Sequence, residues 1–153
     1  MADVGGQHFR AGVVIIVRHP DLRRVMVFER SDAPGSWQFP QGGLDAGEEP
    51  IEGAWRELEE ETGLTAADVI ARVEFPEWVA CQWPPEVRRD HGRDGRRLGQ
   101  VQRWFIFDAV SPDIEPCPDG SEFVAWQWVT VPWMLEHVLE WRRAAYTRVL
   151  GTL

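Results

Sequence analysis

The sequence contains no lysine and no asparagine, and all sixteen of its basic residues are arginine. That double absence fits a GC-rich coding sequence and says nothing about function. Cysteine is scarce as well. Cys81 and Cys117 are too few for a disulfide framework and too far apart for a metal-type spacing, so a reducing, cytoplasmic compartment is expected. No uninterrupted apolar run approaches the ~20 residues that span a bilayer, which argues against a membrane partner. The opening MADVGGQHFR lacks the apolar core of a signal peptide, so export is not expected. Positive charge is in deficit, with a formal net charge of −9. Wide, nonspecific nucleic-acid binding needs a basic surface, so no DNA partner is expected.

What is present suits one domain spanning 1–153, with enough material for a sizeable core. Hydrophobic residues make up 44% and charged residues 27%, ordinary values for a globular protein. Nine tryptophans are many for this length; most are expected in packing, and a few are free to stack on a base.

The most informative stretch runs from Gly42 to Leu64, GGLDAGEEPIEGAWRELEEETGL. Pro50 suits a first helical turn, where its missing N–H costs nothing. Glu48 and Glu49 put negative charge at the positive end of that helix. Ile51, Ala54, Trp55, Leu58 and Thr62 recur at helical spacing and predict a buried face. Gly63 is a natural stop, because glycine takes the left-handed conformation cheaply. Glu57, Glu60 and Glu61 then converge at i, i+3 and i+4. Hard cations such as Mg²⁺ take carboxylate oxygens together with water and substrate phosphates. The alternative is a solvated acidic face, since like-charge pairs at this spacing cost only about 0.2–0.5 kcal/mol each.

With its glycine-bounded loop, Arg56 and hydrophobic positions, this stretch resembles the Nudix box at every fixed position. The resemblance implies an α/β Nudix fold, an α/β/α sandwich with a central mixed sheet. It also implies Mg²⁺-dependent (or Mn²⁺-dependent) hydrolysis of a nucleoside diphosphate linked to some group. By it Glu57, Glu60 and Glu61 are metal ligands, Glu48 supports them, and Arg56 orients and neutralises the cluster. The box names the chemistry and not the substrate.

Along the chain, residues 1–10 read as a loose lead-in and Ala11–Val17 as a buried strand. A turn at His19–Asp21 leads to a partner strand over Val25–Glu29. Residues 31–36 form a loop of turn-favouring types. WQFPQGG, which contains Gln41, then runs into the box. After Gly63, Val69–Phe75 and Trp78–Trp83 predict one interrupted strand or two short ones. Residues 84–97 read as an exposed loop holding Arg88, Arg89, Arg93, Arg96 and Arg97. Those arginines form either a solvated surface or an electrostatic approach for a polyphosphate. Leu98–Val110 alternates as a strand. Residues 111–121 form a loop, EFVAWQWVTV a last strand, and Pro132 opens one amphipathic C-terminal helix.

WQFPQGG, GQVQRWF and EFVAWQWV resemble a narrower Nudix subgroup, the bacterial RNA pyrophosphohydrolases and plant-type diadenosine tetraphosphate hydrolases. The subgroup resemblance makes Gln100, Gln102 and Arg103 candidates for substrate contacts, alongside Gln41, and Arg30 a second phosphate-facing arginine. It also makes Glu122 a further metal ligand or general base; read alone, Glu122 is a surface residue at a strand boundary. Two departures stand out. Cys81 falls where some RNA-end enzymes carry a tyrosine, and Glu29 is acidic where they tend to be basic. The expected partner is therefore a small nucleotide, a dinucleoside polyphosphate such as diadenosine tetraphosphate. The alternatives are an RNA 5′-triphosphate end, a housecleaning nucleoside triphosphate, or a noncatalytic nucleotide-sensing role.

Overall fold

The computed structural model describes residues 6–91 and 96–153. The chain runs β1 (His8–Arg18), β2 (Arg24–Arg30), β3 (Trp37–Gln38), β4 (Gln41–Gly43), α1 (Pro50–Thr62), β5 (Val69–Glu74) and β6 (Val79–Gln82). It continues with α2 (Pro85–His91), β7 (Arg97–Ala109), β8 (Phe123–Thr130), α3 (Val131–His137), a 3₁₀ turn (Glu140–Arg142) and α4 (Arg143–Leu150). One eight-stranded sheet is ordered β3-β2-β1-β7-β5, with β4 beside β1, β6 beside β7 and β8 beside β2.

The sheet is mixed. Its long central pair, β1 and β7, is parallel, so His8 meets Arg97 and Arg10 meets Gln100. The other pairs, including β1–β4 and β6–β7, are antiparallel. A sheet covered on both faces reads as a continuous apolar run. Accordingly Val13 through Val17 are all fully buried. Val13, Ile15, Val17, Phe105 and Phe107 pack toward Ala54 and Leu58 of α1. Val14, Ile16, Trp104 and Ile106 pack on the opposite side with Met134, Tyr146 and Val149 of α3 and α4. These two cores are the halves of an α/β/α sandwich.

Helix α1 begins and ends where expected. Glu52 Oε1 accepts the Glu49 N–H at 3.0 Å, Pro50 opens the first turn, and Gly63 closes the helix at φ 73°. Its buried face is rotated from the expected one. Ile51 is exposed, while Glu57 and Glu61 are buried beside Leu58. The face turned to β4 thus carries carboxylates as well as apolar groups.

Three further expectations are corrected, and one left open between two forms is resolved. The lead-in is short, because pairing with β7 carries β1 back to His8. The Val69–Trp83 region is two strands, both antiparallel to β7. Within the expected loop 84–97, Pro85–His91 is helical and Arg97 starts β7; Arg93 lies outside the described residues. The C-terminal helix is broken. Val138 turns extended (φ −82°, ψ 152°) so that its side chain enters the core. Arg143 Nε then donates to the Leu135 carbonyl oxygen at 2.8 Å and satisfies the end of α3.

Candidate active site

Burial of Ala54 and Leu58 fixes the rotation of α1, and that rotation aims Glu57 and Glu61 at β4. Gln41 donates its backbone N–H to Glu61 Oε2 at 3.2 Å. The Glu57 carboxylate lies against Gly42, in the space that a β-carbon there would fill. The Arg56 guanidinium clamps the loop before the helix. Its Nε and Nη2 donate to Glu48 at 2.8 and 2.9 Å, and Nη2 also donates to the Gly43 carbonyl oxygen at 2.9 Å. Nη1 donates to Glu57 at 2.8 Å and reaches Glu60 at 3.3 Å. Such bidentate, charge-assisted contacts are geometrically specific as well as strong.

The carboxylates perturb one another. Burial, then the neighbouring Glu122 and Glu57, push the Glu61 carboxyl far above its ordinary range; the Gln41 N–H only partly offsets this. Burial also raises Glu57, against the pull of Arg56. The Arg56 guanidinium and the Asp45 N–H hold Glu48 down to about 2. Glu122, which immediately precedes β8, completes the acidic side of the site. Among the described residues no three acidic, His or Cys side chains are closed into a ready ligand shell. The donor chemistry still fits a hard divalent cation. All donors are carboxylate oxygens, and they are crowded so that burial and mutual repulsion oppose ionisation.

A cavity of about 670 Å³ opens beside these groups. Glu57, Glu61 and Glu122 line it, together with Gln41, Gly42, Gly43 and Gln100. Four arginines from separated segments also line it: Arg10, Arg30, Arg97 and Arg142. Trp83, Val87, Leu139 and Trp141 supply an apolar wall. Arg30 is steadied by Asp32 at 2.7 Å and by Gln38 at 2.6 Å. Arg142 is 7% exposed, lies over the Trp141 ring and donates through Nη1 to Gln41 Oε1 at 2.6 Å. Its Nε has no hydrogen-bond partner among the described residues.

The expected residues therefore divide. Glu57, Glu61, Glu122, Arg30, Gln41 and Gln100 share the cavity. Gln102 is buried one step behind it and donates to Gln41 Oε1 at 3.0 Å. Glu48 and Arg56 brace the site from the loop side. Glu60 does not line the cavity; its carboxylate is more than half exposed beside Arg56. Arg103 is engaged elsewhere, 2.6 Å from Glu74 and over the Trp78 ring. Arg10, Arg142, Trp83 and Trp141 escaped the sequence reading, because no local pattern marks them. The two departures also have structural roles. The Cys81 thiol is buried 3.5 Å from the Trp141 carbonyl oxygen, and Glu29 accepts the Gly35 N–H at 2.9 Å.

The NUDIX domain model matches residues 8–150, so the chain belongs to the Nudix hydrolase family. It is 38% identical to the RNA pyrophosphohydrolase of Rhodospirillum rubrum over 152 residues, 97% of this chain and 88% of that protein. It is 35% identical over 138 residues to the chloroplastic Nudix hydrolase 26 of Arabidopsis thaliana. That match covers 84% of this chain but only 62% of the longer plant protein. Among solved structures, the E. coli dihydroneopterin triphosphate pyrophosphohydrolase superposes with a TM-score of 0.75 at 20% identity, covering 96% of this chain and 100% of that one. A C. elegans Ap4A hydrolase complex superposes at 0.68 with 13% identity, over 94% and 96%. Both structural likenesses establish the fold alone. Among the described residues no helix is long and apolar enough to cross a membrane.

Proposed function

We propose that this Nudix protein hydrolyses a phosphoanhydride bond of a nucleoside 5′-polyphosphate, and that a dinucleoside polyphosphate is its substrate. One observation carries the reading. One cavity is lined by carboxylates, four arginines and two tryptophans. That arrangement suits a compact polyanion attached to a base. The chain is acidic overall, yet these cations gather inside the cavity, as a small ligand requires.

In this reading Glu57, Glu61 and Glu122 would hold Mg²⁺ or Mn²⁺, with Glu60 next to them on α1. The ion would supply charge neutralisation and Lewis acidity at the phosphate chain. Arg10, Arg30, Arg97 and Arg142 bind phosphate oxygens and offset charge as the anhydride breaks. Trp83 and Trp141 offer apolar surface to a base and help exclude water. Glu122 accepts the proton of the attacking water, and the phosphoanhydride P–O bond breaks to release two phosphorylated products. Arg56 keeps Glu57 oriented, through its own contact and through Glu48.

A second reading, an RNA 5′-triphosphate end, is favoured by the 38% identity to the R. rubrum RNA pyrophosphohydrolase across nearly the whole chain. The deciding experiment compares diadenosine tetraphosphate, a short triphosphorylated RNA and free nucleoside triphosphates with Mg²⁺, resolving the products. A far higher kcat/KM for the dinucleotide, yielding ATP and AMP, supports the first reading. Preferred release of pyrophosphate or successive phosphates from RNA replaces it with the second. Binding without turnover of any substrate overturns both in favour of a sensor.

A further inference from the structure

Glu122 lies one residue outside β8, so no sheet ladder fixes it. A turn built by Asp119 fixes it instead. Asp119 Oδ1 accepts three backbone N–H groups, from Ser121 at 3.2 Å, Glu122 at 2.9 Å and Phe123 at 3.2 Å. Its other oxygen accepts the Ser121 hydroxyl at 3.3 Å. Gly120 (φ 80°) closes the turn and donates its N–H to the Phe123 carbonyl oxygen at 3.1 Å. From the other side, Ser31 donates its N–H to the Glu122 carbonyl oxygen at 2.9 Å and its hydroxyl to the Ser121 carbonyl oxygen at 2.5 Å. Ser31 directly follows the cavity arginine Arg30. The same clamp therefore ties the end of β2 that carries Arg30 to the residue that carries the carboxylate.

We infer that Asp119 is a positioning residue, which holds the Glu122 backbone so that the Glu122 carboxylate stays beside Glu61. The inference rests on the reading that Glu122 belongs to the reaction centre. Asp119 does not line the cavity, so its effect passes through Glu122. Burial pushes the Asp119 carboxyl up, but the N–H groups of Glu122, Phe123 and Ser121 outweigh it and leave the carboxyl below its ordinary range. The Oδ1 acceptor, shared by three N–H groups, is what organises the turn. An asparagine keeps one oxygen able to accept the N–H groups; an alanine keeps none.

The test is a double-mutant cycle on the whole chain, read as kcat, KM and Mn²⁺ affinity by electron paramagnetic resonance. Displacing a reacting group by about 1 Å can cost on the order of a hundredfold, so Asp119→Ala should lower kcat by about 10–100-fold with KM nearly unchanged. It should also weaken Mn²⁺ binding by about tenfold, as loss of a ligand's support does. Asp119→Asn should stay within about threefold of wild type, given the retained acceptor. In a Glu122→Gln background, Asp119→Ala should change neither kcat nor Mn²⁺ affinity by more than about twofold, because coupled residues are not additive. If Asp119→Ala does not fold, Ser31→Ala removes one bond from the other side of the clamp and should show a smaller loss with the same non-additivity. Equal losses in both backgrounds, or an Asp119→Asn no better than Asp119→Ala, overturn the inference. Full turnover by Glu122→Gln alone has a different meaning: it removes Glu122 from the reaction centre, and this inference with it.

Discussion

Replacing Glu61 by glutamine should stabilise the metal-free chain while it abolishes most turnover. Glu61 is 5% exposed and lies among Glu57, Glu122 and the Gln41 N–H. Burial and the like charges raise its folded-state pKa well past neutrality from an ordinary 4.5. For a carboxyl raised on folding, the native state holds a proton that the unfolded state has already released. Stability therefore falls as pH rises from about 4.5 toward the folded pKa, by about 1.4 kcal/mol per pH unit. At pH 7 the accumulated cost is on the order of 3 kcal/mol, the work of keeping one carboxyl protonated well above its ordinary value. Glutamine has the shape and donor capacity of the protonated acid and escapes this cost.

In EDTA at pH 7 the variant should melt above wild type by up to roughly 10 °C, at about 2–4 °C per kcal/mol for a chain of this size. The gap should close near pH 4.5 and widen above it. Mg²⁺ at about 100 times its dissociation constant should return about 2.7 kcal/mol to wild type, and less to the variant. The assay is calorimetry from pH 4.5 to 8, with and without Mg²⁺. An equal or lower melting temperature for Glu61→Gln in EDTA, or a gap that does not change with pH, refutes the reasoning.

Two further predictions follow from the cavity. Gly42→Ala should leave the fold intact but cut kcat by about a hundredfold, because the new methyl claims the space of the Glu57 carboxylate; wild-type turnover by a folded Gly42→Ala protein counts against the site. Arg142→Met should melt within a few degrees of wild type, since exchanging a buried charge for an apolar group of similar length is often neutral. It should raise KM by about tenfold, as loss of one charge-assisted phosphate contact predicts. Steady-state kinetics on the dinucleotide and on the RNA check this, and an unchanged KM on both removes Arg142 from substrate contact.

How much of this was legible in the sequence depended on how local each interaction is. The start of α1 at Pro50 behind Glu48 and Glu49, its stop at Gly63 and the nearness of Glu57 to Glu61 are consequences of helical spacing, so 23 residues of chain specify them, whereas Glu60 of the expected trio is exposed beside Arg56. The same is true of the doubly buried β1, whose β-branched Val13–Val17 run reads as a strand covered on both faces. Which side of α1 turned inward was less legible. Ile51 has an apolar label but faces solvent, and Glu57 and Glu61 are buried because β4 supplies Gly42 and the Gln41 N–H for them.

The sequence by itself determined the family and the Glu57 and Glu61 part of the site, because a box of short-range spacings writes both into one segment. Tertiary structure alone added Arg10, Arg142, Trp83 and Trp141 to the site. Arg10 looked like part of a lead-in until the parallel pairing of β1 with β7 set it level with Gln100, near Arg97. Arg142 and Trp141 looked like two positions of one continuous helix until extended Val138 broke it and turned both toward the cavity. These contacts join residues tens of positions apart. Only the packing of the two cores against the sheet brings those segments together.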